Sequence, residues 1–183
     1  PYAIRARFSM EPGTGRFKIV IKYLGSKRRL LDEIAGIVAL FNGTESVLDL
    51  FSGTSRVGHR LKRDGYRVVS NDHNAYAFHL ARCYVQSDAE DHRQAAERLI
   101  SELNEVAVSP GWFTESFCHE ARYFQPHNGA KIEGIRNRIC ELDLAPELES
   151  IALVALMEAA DRVDSTTGVQ MAFLKNWAPR SFN

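Results

Sequence analysis

The stretch Asp49-Leu50-Phe51-Ser52-Gly53-Thr54-Ser55-Arg56-Val57-Gly58 constrains this chain more than any other. Ser46 to Phe51 (SVLDLF) is short, apolar and rich in β-formers, with turn residues on either side, and reads as a buried strand. Ser52 to Gly58 is a loop of small residues, and a helix is expected from there to about Asp64, with Gly65 as its C-terminal cap. A strand feeding a glycine turn and then a helix directs backbone N–H groups to the carboxyl end of a sheet, where open α/β folds bind ligands. The spacing is nearly that of a dinucleotide loop, except that Ser55 stands at the middle glycine. In dinucleotide enzymes that glycine lets the backbone approach a pyrophosphate. A side chain there argues against NAD or FAD, and is compatible with a nucleoside that carries an amino-acid tail instead of phosphates.

The flanking pattern extends the α/β reading. Leu30, Leu31, Ile34, Ile37, Val38 and Phe41 have helical spacing and end at Asn42-Gly43. Tyr66 to Ser70 is a second strand, followed by Asn71-Asp72. A helix is expected over 74–85, and Ser87-Asp88-Ala89-Glu90 reads as a capping box opening another that presents Ala96, Leu99, Ile100 and Leu103. Helix, strand, helix, strand, helix, helix is the opening of a parallel sheet with crossover helices. Asp72, at the end of the second strand, is placed to accept hydrogen bonds from both hydroxyls of a ribose; capping the following helix is a compatible use. Asp49 lies inside the first strand, where a carboxylate must be paired or face a ligand.

From about residue 108 the character changes. Residues 110–129 are rich in aromatics, helices are expected around 130–142 and 147–162, and 164–183 reads as loop or weak strand. Trp112 and Phe113 are expected in the core rather than as base-stacking platforms. Formal net charge is zero, with 23 Lys and Arg against 23 Asp and Glu. It is unevenly spread: residues 1–30 carry eight Lys or Arg against Glu11 alone. A basic end on a neutral protein suits phosphates or plain solvation equally. Cys83, Cys118 and Cys140 form no CxxC pair, so neither a zinc nor a redox motif is signalled. They read as free thiols of a reducing cytosol, buried or half-buried. No run of 18 uncharged apolar residues exists to cross a membrane.

Lys22-Tyr23-Leu24-Gly25-Ser26-Lys27 precedes the first helix. In this order and spacing the chain resembles the Dam-like, group alpha adenine-specific DNA methyltransferases. Tyr23, Gly25 and Lys27 match that family's N-terminal cofactor motif. Asp49, Phe51, Gly53 and Gly58 match its acidic-Phe-x-Gly-x-Gly-like loop, with Ser55 a departure, and Asp72 matches its strand-end acid. Tyr123-Phe124-Gln125-Pro126-His127-Asn128-Gly129 also looks like a branch of the family, so the resemblance covers nearly all of the chain from Lys22 onward.

The resemblance implies a Rossmann-like, incomplete S-adenosylmethionine-binding α/β part over 22–108. A basic segment precedes it at 1–21, and a mainly helical DNA-recognition module follows at 109–183. It implies S-adenosylmethionine as cofactor, double-stranded DNA as partner, adenine N6 as methyl acceptor and a cytoplasmic enzyme. Asp72 would hold the ribose, and Phe51 and the Gly53 loop would shape the pocket. Tyr23 and Lys27 would close over the cofactor, and Asp49 would face its ammonium group. Arg122, Lys131, Arg136, Arg138, Lys175 and Arg180 are candidate phosphate contacts, Lys131 and Arg138 on one helix face. The family's Asp-Pro-Pro-Tyr-type catalytic motif is not found: the six prolines are nowhere adjacent. In the family's order it follows the recognition module, so the expectation is a chain cut short of it that does not methylate alone. Two alternatives stay open: a non-catalytic half-protein needing a partner, and an S-adenosylmethionine-dependent enzyme acting on RNA. Neither a metal site nor an oligomeric state is signalled.

Overall fold

The computed structural model describes residues 27–168 and 172–182. The basic N-terminal segment, Tyr23 and Gly25 lie outside the described residues. The described residues fall into two compact units, 27–93 and 94–182. Among them, no helix is long and apolar enough to cross a membrane.

The first unit opens with a 3-10 turn, Lys27–Leu30, that runs into α1, Leu31–Ala39. Strand β1, Ser46–Asp49, pairs in parallel with β2, Arg67–Ser70, in the register Ser46↔Arg67 to Asp49↔Ser70. Helix α2, Arg56–Arg63, joins them. Parallel strands cannot be linked by a tight turn, and the glycine loop with α2 is the crossover the geometry requires. Gly58 is where α2 meets the sheet: a Cβ there would lie 3.0 Å from Ser70 Oγ and 3.3 Å from Val68 Cγ1. Gly65, with φ +95°, ends α2 in the left-handed conformation expected of its cap.

The expected buried strand is buried on one face only. Val47, Asp49, Val68 and Ser70 are half-buried, whereas Leu48 is 59% and Val69 51% exposed. Residues alternate across a strand, so the two apolar register partners share the open face. An apolar run reads as a strand covered on both sides, and its composition alone gives no sign that one side stays open.

After β2 come α3, Ala75–Ala81, and a wider π turn, Arg82–Gln86. Helix α4, Ala89–Glu105, begins in the first unit and ends in the second. The expected capping box does not form as written: Ser87 Oγ donates back to the Arg82 carbonyl at 2.8 Å.

In the second unit a short helix, α5 (Trp112–Thr114), continues as a π turn over Glu115–Glu120. Helices α6, Pro126–Glu141, and α7, Pro146–Val163, each start with proline in the first turn, where its missing N–H costs no hydrogen bond. The core joins Leu99 and Leu103 of α4, Ile132, Ile135 and Ile139 of α6, and Ala152, Leu156, Ala159 and Val163 of α7, with Cys118 and Phe124 between. The three- and four-residue spacings put each set on one helical face. Each fully buried Leu or Ile contributes about 1.5–3 kcal/mol. Phe113 packs onto Phe117 and Phe124, as expected of a core ring, whereas Trp112 is 74% exposed and meets Phe117 edge-on. Cys118 is buried and Cys83 half-buried, whereas Cys140, expected to be covered, is exposed.

Candidate functional site

The carboxyl ends of β1 and β2 bring Lys27, Asp49, Phe51, Gly53 and Asp72 together. The ladder continues past the strands, with Asn71 N donating to the Asp49 carbonyl at 2.9 Å and Ser52 N to the Asn71 carbonyl at 2.9 Å. Asn71 Nδ2 donates to the Leu50 carbonyl at 2.9 Å. These three bonds fix the turn after β1 against the turn after β2.

Asp72 is the hinge of the arrangement. Its Oδ2 accepts the Gly53 N–H at 2.8 Å across 19 residues of sequence. Its Oδ1 accepts Asn74 N at 3.0 Å and Asn74 Nδ2 at 3.2 Å. The N-cap position of α3 belongs to Asn74, so the carboxylate locks the glycine loop instead of capping a helix. The Asn74 and Gly53 N–H groups hold the Asp72 pKa below its ordinary value. An ionised carboxylate offers about four lone-pair sites, and Gly53 N, Asn74 N and Asn74 Nδ2 take three of them.

Asp49 has the opposite character. Burial pushes its pKa up, while Lys27 and the Gly58 N–H pull it down. One oxygen, Oδ2, is buried with no hydrogen-bond partner among the described residues, and so is Ser52 Oγ in the turn. A half-buried carboxylate with an unmatched oxygen is suited to a cationic group. Lys27 is exposed; its Nζ donates to the Phe51 carbonyl at 3.3 Å. Phe51 itself is 74% exposed, an apolar ring beside two carboxylates. An anionic hydroxyl acceptor, a second carboxylate and an open aromatic ring at a glycine turn fit a nucleoside with an ammonium-bearing tail.

Ser55 keeps the backbone conformation of the glycine it replaces. It is fully buried with φ 55°, the left-handed conformation that the middle glycine would adopt without strain. Its Oγ has no partner among the described residues.

Sequence reasoning did not single out His59, which stacks on Tyr84 with centroids 5.9 Å apart. Burial, with Arg63 and Lys62 nearby, lowers its pKa to about 4. A lone histidine in a basic helix carries no signal of this.

The charge candidates of the second unit separate into two kinds. Lys131 Nζ donates to the Asn104 carbonyl at 2.9 Å and also to that of Val106, covering the end of α4. Arg138 pairs with Glu102 at 3.0 Å and Glu141 at 3.5 Å. The two share a face, as their spacing requires, and that face is turned to α4. Arg136 contacts Cys140 Sγ. Arg180 pairs with buried Asp164 at 2.6 Å. Arg122 and Lys175 meet each other instead, through Arg122 Nη1 and the Lys175 carbonyl at 2.6 Å.

The segment Tyr123 to Gly129 is structural in this setting. Asn128, buried, donates through Nδ2 to the Ser181 carbonyl at 2.9 Å. A Cβ on Gly129 would lie 2.1 Å from Cys118 Sγ, so only glycine fits.

Comparison with known proteins gives the family. The family described as D12 class N6 adenine-specific DNA methyltransferase matches residues 23–183. Type II methyltransferase M.NlaIII of Neisseria lactamica is 30% identical over 168 residues, covering 85% of this chain and 50% of its own length. Modification methylase StsI of Streptococcus sanguinis is 32% identical over 182 residues, 89% of this chain and 27% of its own. Type II methyltransferase M.FokI of Planomicrobium okeanokoites is 29% identical over 179 residues, 88% and 28% respectively. The chain thus spans about half the length of one relative and about a quarter of the others. No solved structure matches. With its family model covering nearly every residue from Tyr23 onward, the chain belongs to the D12 class N6 adenine-specific DNA methyltransferase family.

Proposed function

We propose that residues 27–93 are the start of a Rossmann-like sheet that binds S-adenosylmethionine. The whole protein would then transfer its methyl group to adenine N6 in double-stranded DNA. The observation that carries this reading is Asp72, ionised and bonded to the glycine loop at the carboxyl end of the sheet. In this reading Asp72 accepts the ribose hydroxyls, Phe51 and the Gly53 turn line the adenosine, and Asp49 faces the ammonium of the methionine tail. Lys27 and Tyr23 cover the ligand. When bound, the cofactor supplies an already activated methyl group. The contribution of these residues is to orient it, so that the acceptor nitrogen can approach in line, and to exclude water. We further propose that residues 94–182 belong to the DNA-recognition part.

The test is calorimetric titration of S-adenosylmethionine into the chain and its Asp72→Ala variant. Removing an ionised acceptor of two hydroxyl groups weakens binding by at least ~1.5 kcal/mol. Equal affinity in both proteins contradicts the assignment.

A further inference from the structure

The six cations marked in the sequence for phosphate have different surroundings, and one of them, Arg136, meets the Cys140 thiol. Lys131, Arg138 and Arg180 are committed to carbonyls or carboxylates of their own unit. Arg122 and Lys175 are not: among the described residues neither has a carboxylate partner. They lie 53 residues apart in sequence and are joined by the Arg122 Nη1 bond to the Lys175 carbonyl. The guanidinium carbon of Arg122 sits 4.5 Å from the centroid of the Trp177 ring. A guanidinium held over an aromatic ring keeps N–H donors available for a further acceptor. Of five donors one is used by the carbonyl. The segments on either side are braced, Tyr123 against Phe173 at 5.6 Å and Ser165 N on the Tyr123 carbonyl at 2.7 Å. Lys175 is exposed beside them.

We propose that Arg122, its guanidinium over the Trp177 ring, forms with Lys175 a binding point for the phosphate backbone of double-stranded DNA, with Trp177 as the residue that positions the guanidinium. The charge is positive and unneutralised, the donor edge is planar and preorganised, and a phosphate accepts such an edge with two parallel hydrogen bonds. The inference rests on the methyltransferase reading for its partner, but not on the cofactor site.

The experiment is fluorescence anisotropy of a labelled duplex titrated with the full chain over a range of salt. Removing one phosphate-binding cation lowers the slope of log affinity against log salt by about 1, whatever the DNA sequence. Arg122→Ala and Lys175→Ala are each expected to do this, with about a fivefold to tenfold weakening near 0.1 M salt. Trp177→Ala lowers affinity with all charges retained, and Trp177→Phe restores it. Arg138→Ala, whose charge is already paired, changes nothing. Lys175→Ala touches only an exposed side chain, so the test survives if Arg122→Ala fails to fold. Unchanged slopes in both variants overturn the proposal. So does a weakening confined to one DNA sequence at constant slope, which would mean base recognition, and so does the absence of any duplex binding by the unaltered chain. S-adenosylmethionine binding, tested at Asp72, is indifferent to all these outcomes.

Discussion

At Ser55 the backbone takes φ 55° with a Cβ attached and the hydroxyl buried, with no partner among the described residues. The left-handed conformation costs about 1–2 kcal/mol in a residue with a Cβ, and an unmatched buried hydroxyl about 1–3 kcal/mol. Glycine in its place loses about 0.5–1 kcal/mol of chain entropy. Ser55→Gly is therefore expected to raise stability by about 1 kcal/mol in urea denaturation, and Ser55→Val to lower it. His59 gives a pH dependence. Its pKa is about 4 in the fold against 6.5 unfolded, so below pH 6.5 the unfolded chain binds the extra proton. Stability present above 6.5 is lost as pH falls toward 4, by about 1–2 kcal/mol at pH 5 given partial solvent screening. Denaturation at pH 7.5 and 5 checks this, and His59→Phe, which keeps a ring on Tyr84, flattens the difference. Asp49 and Asp72 stood out in the sequence because a carboxylate inside or ending a strand conflicts with propensity. Their different protonation tendencies did not, since these depend on Gly53, Asn74 and Lys27 meeting in space.

Elements are held by interactions that span long stretches of sequence. Glu133 of α6 accepts Gly111 N at 2.7 Å, Phe113 N and Thr114 N at 2.9 Å, and Thr114 Oγ1 at 2.7 Å. Although burial opposes it, these donors hold the Glu133 pKa below the usual carboxylate value. The carboxylate thus serves as the cap of α5 from 19 to 22 residues away. Glu133→Ala is expected to cost about 2 kcal/mol by leaving those donors unmatched, measured by chemical denaturation. Gly129 and Cys118 form a sharper test. Gly129→Ala forces its Cβ onto the thiol and costs about 1–3 kcal/mol. In the Cys118→Ala background the nearest remaining atom is Cys118 Cβ at 3.7 Å, so most of that cost disappears. Helices α6 and α7 were legible from their spacing, and α7 also from Pro146, whereas the start of α6 at Pro126 lies four residues before the expected one. The reach of Glu133 was not legible, because no local pattern marks a cap supplied by another helix. The Ser87 capping box, a purely local signal, gave way to the carbonyl of Arg82 exposed by the π turn.

The whole molecule divides inside α4, at residues 93 and 94, while the change of composition suggested a boundary near 108. The sequence change marks where the aromatic segment starts; the division follows packing, and the second half of α4 packs with α6 and α7. The parallel order of β1 and β2 was legible from the strand–helix–strand pattern. The open face was not, because Leu48 and Val69 look the same in sequence whether or not anything covers them. Leu48→Ser and Val69→Thr are expected to change the stability of this chain by no more than about 0.5 kcal/mol, as surface substitutions do. At the end of that sheet the glycine turn, Asp72 and Asp49 are proposed to select a nucleoside with a charged tail over a dinucleotide. The most direct measurement is parallel calorimetric titration of S-adenosylmethionine and NAD into the unaltered chain. The account predicts saturable heat with S-adenosylmethionine and none with NAD. Binding of NAD in place of the methyl donor would contradict it.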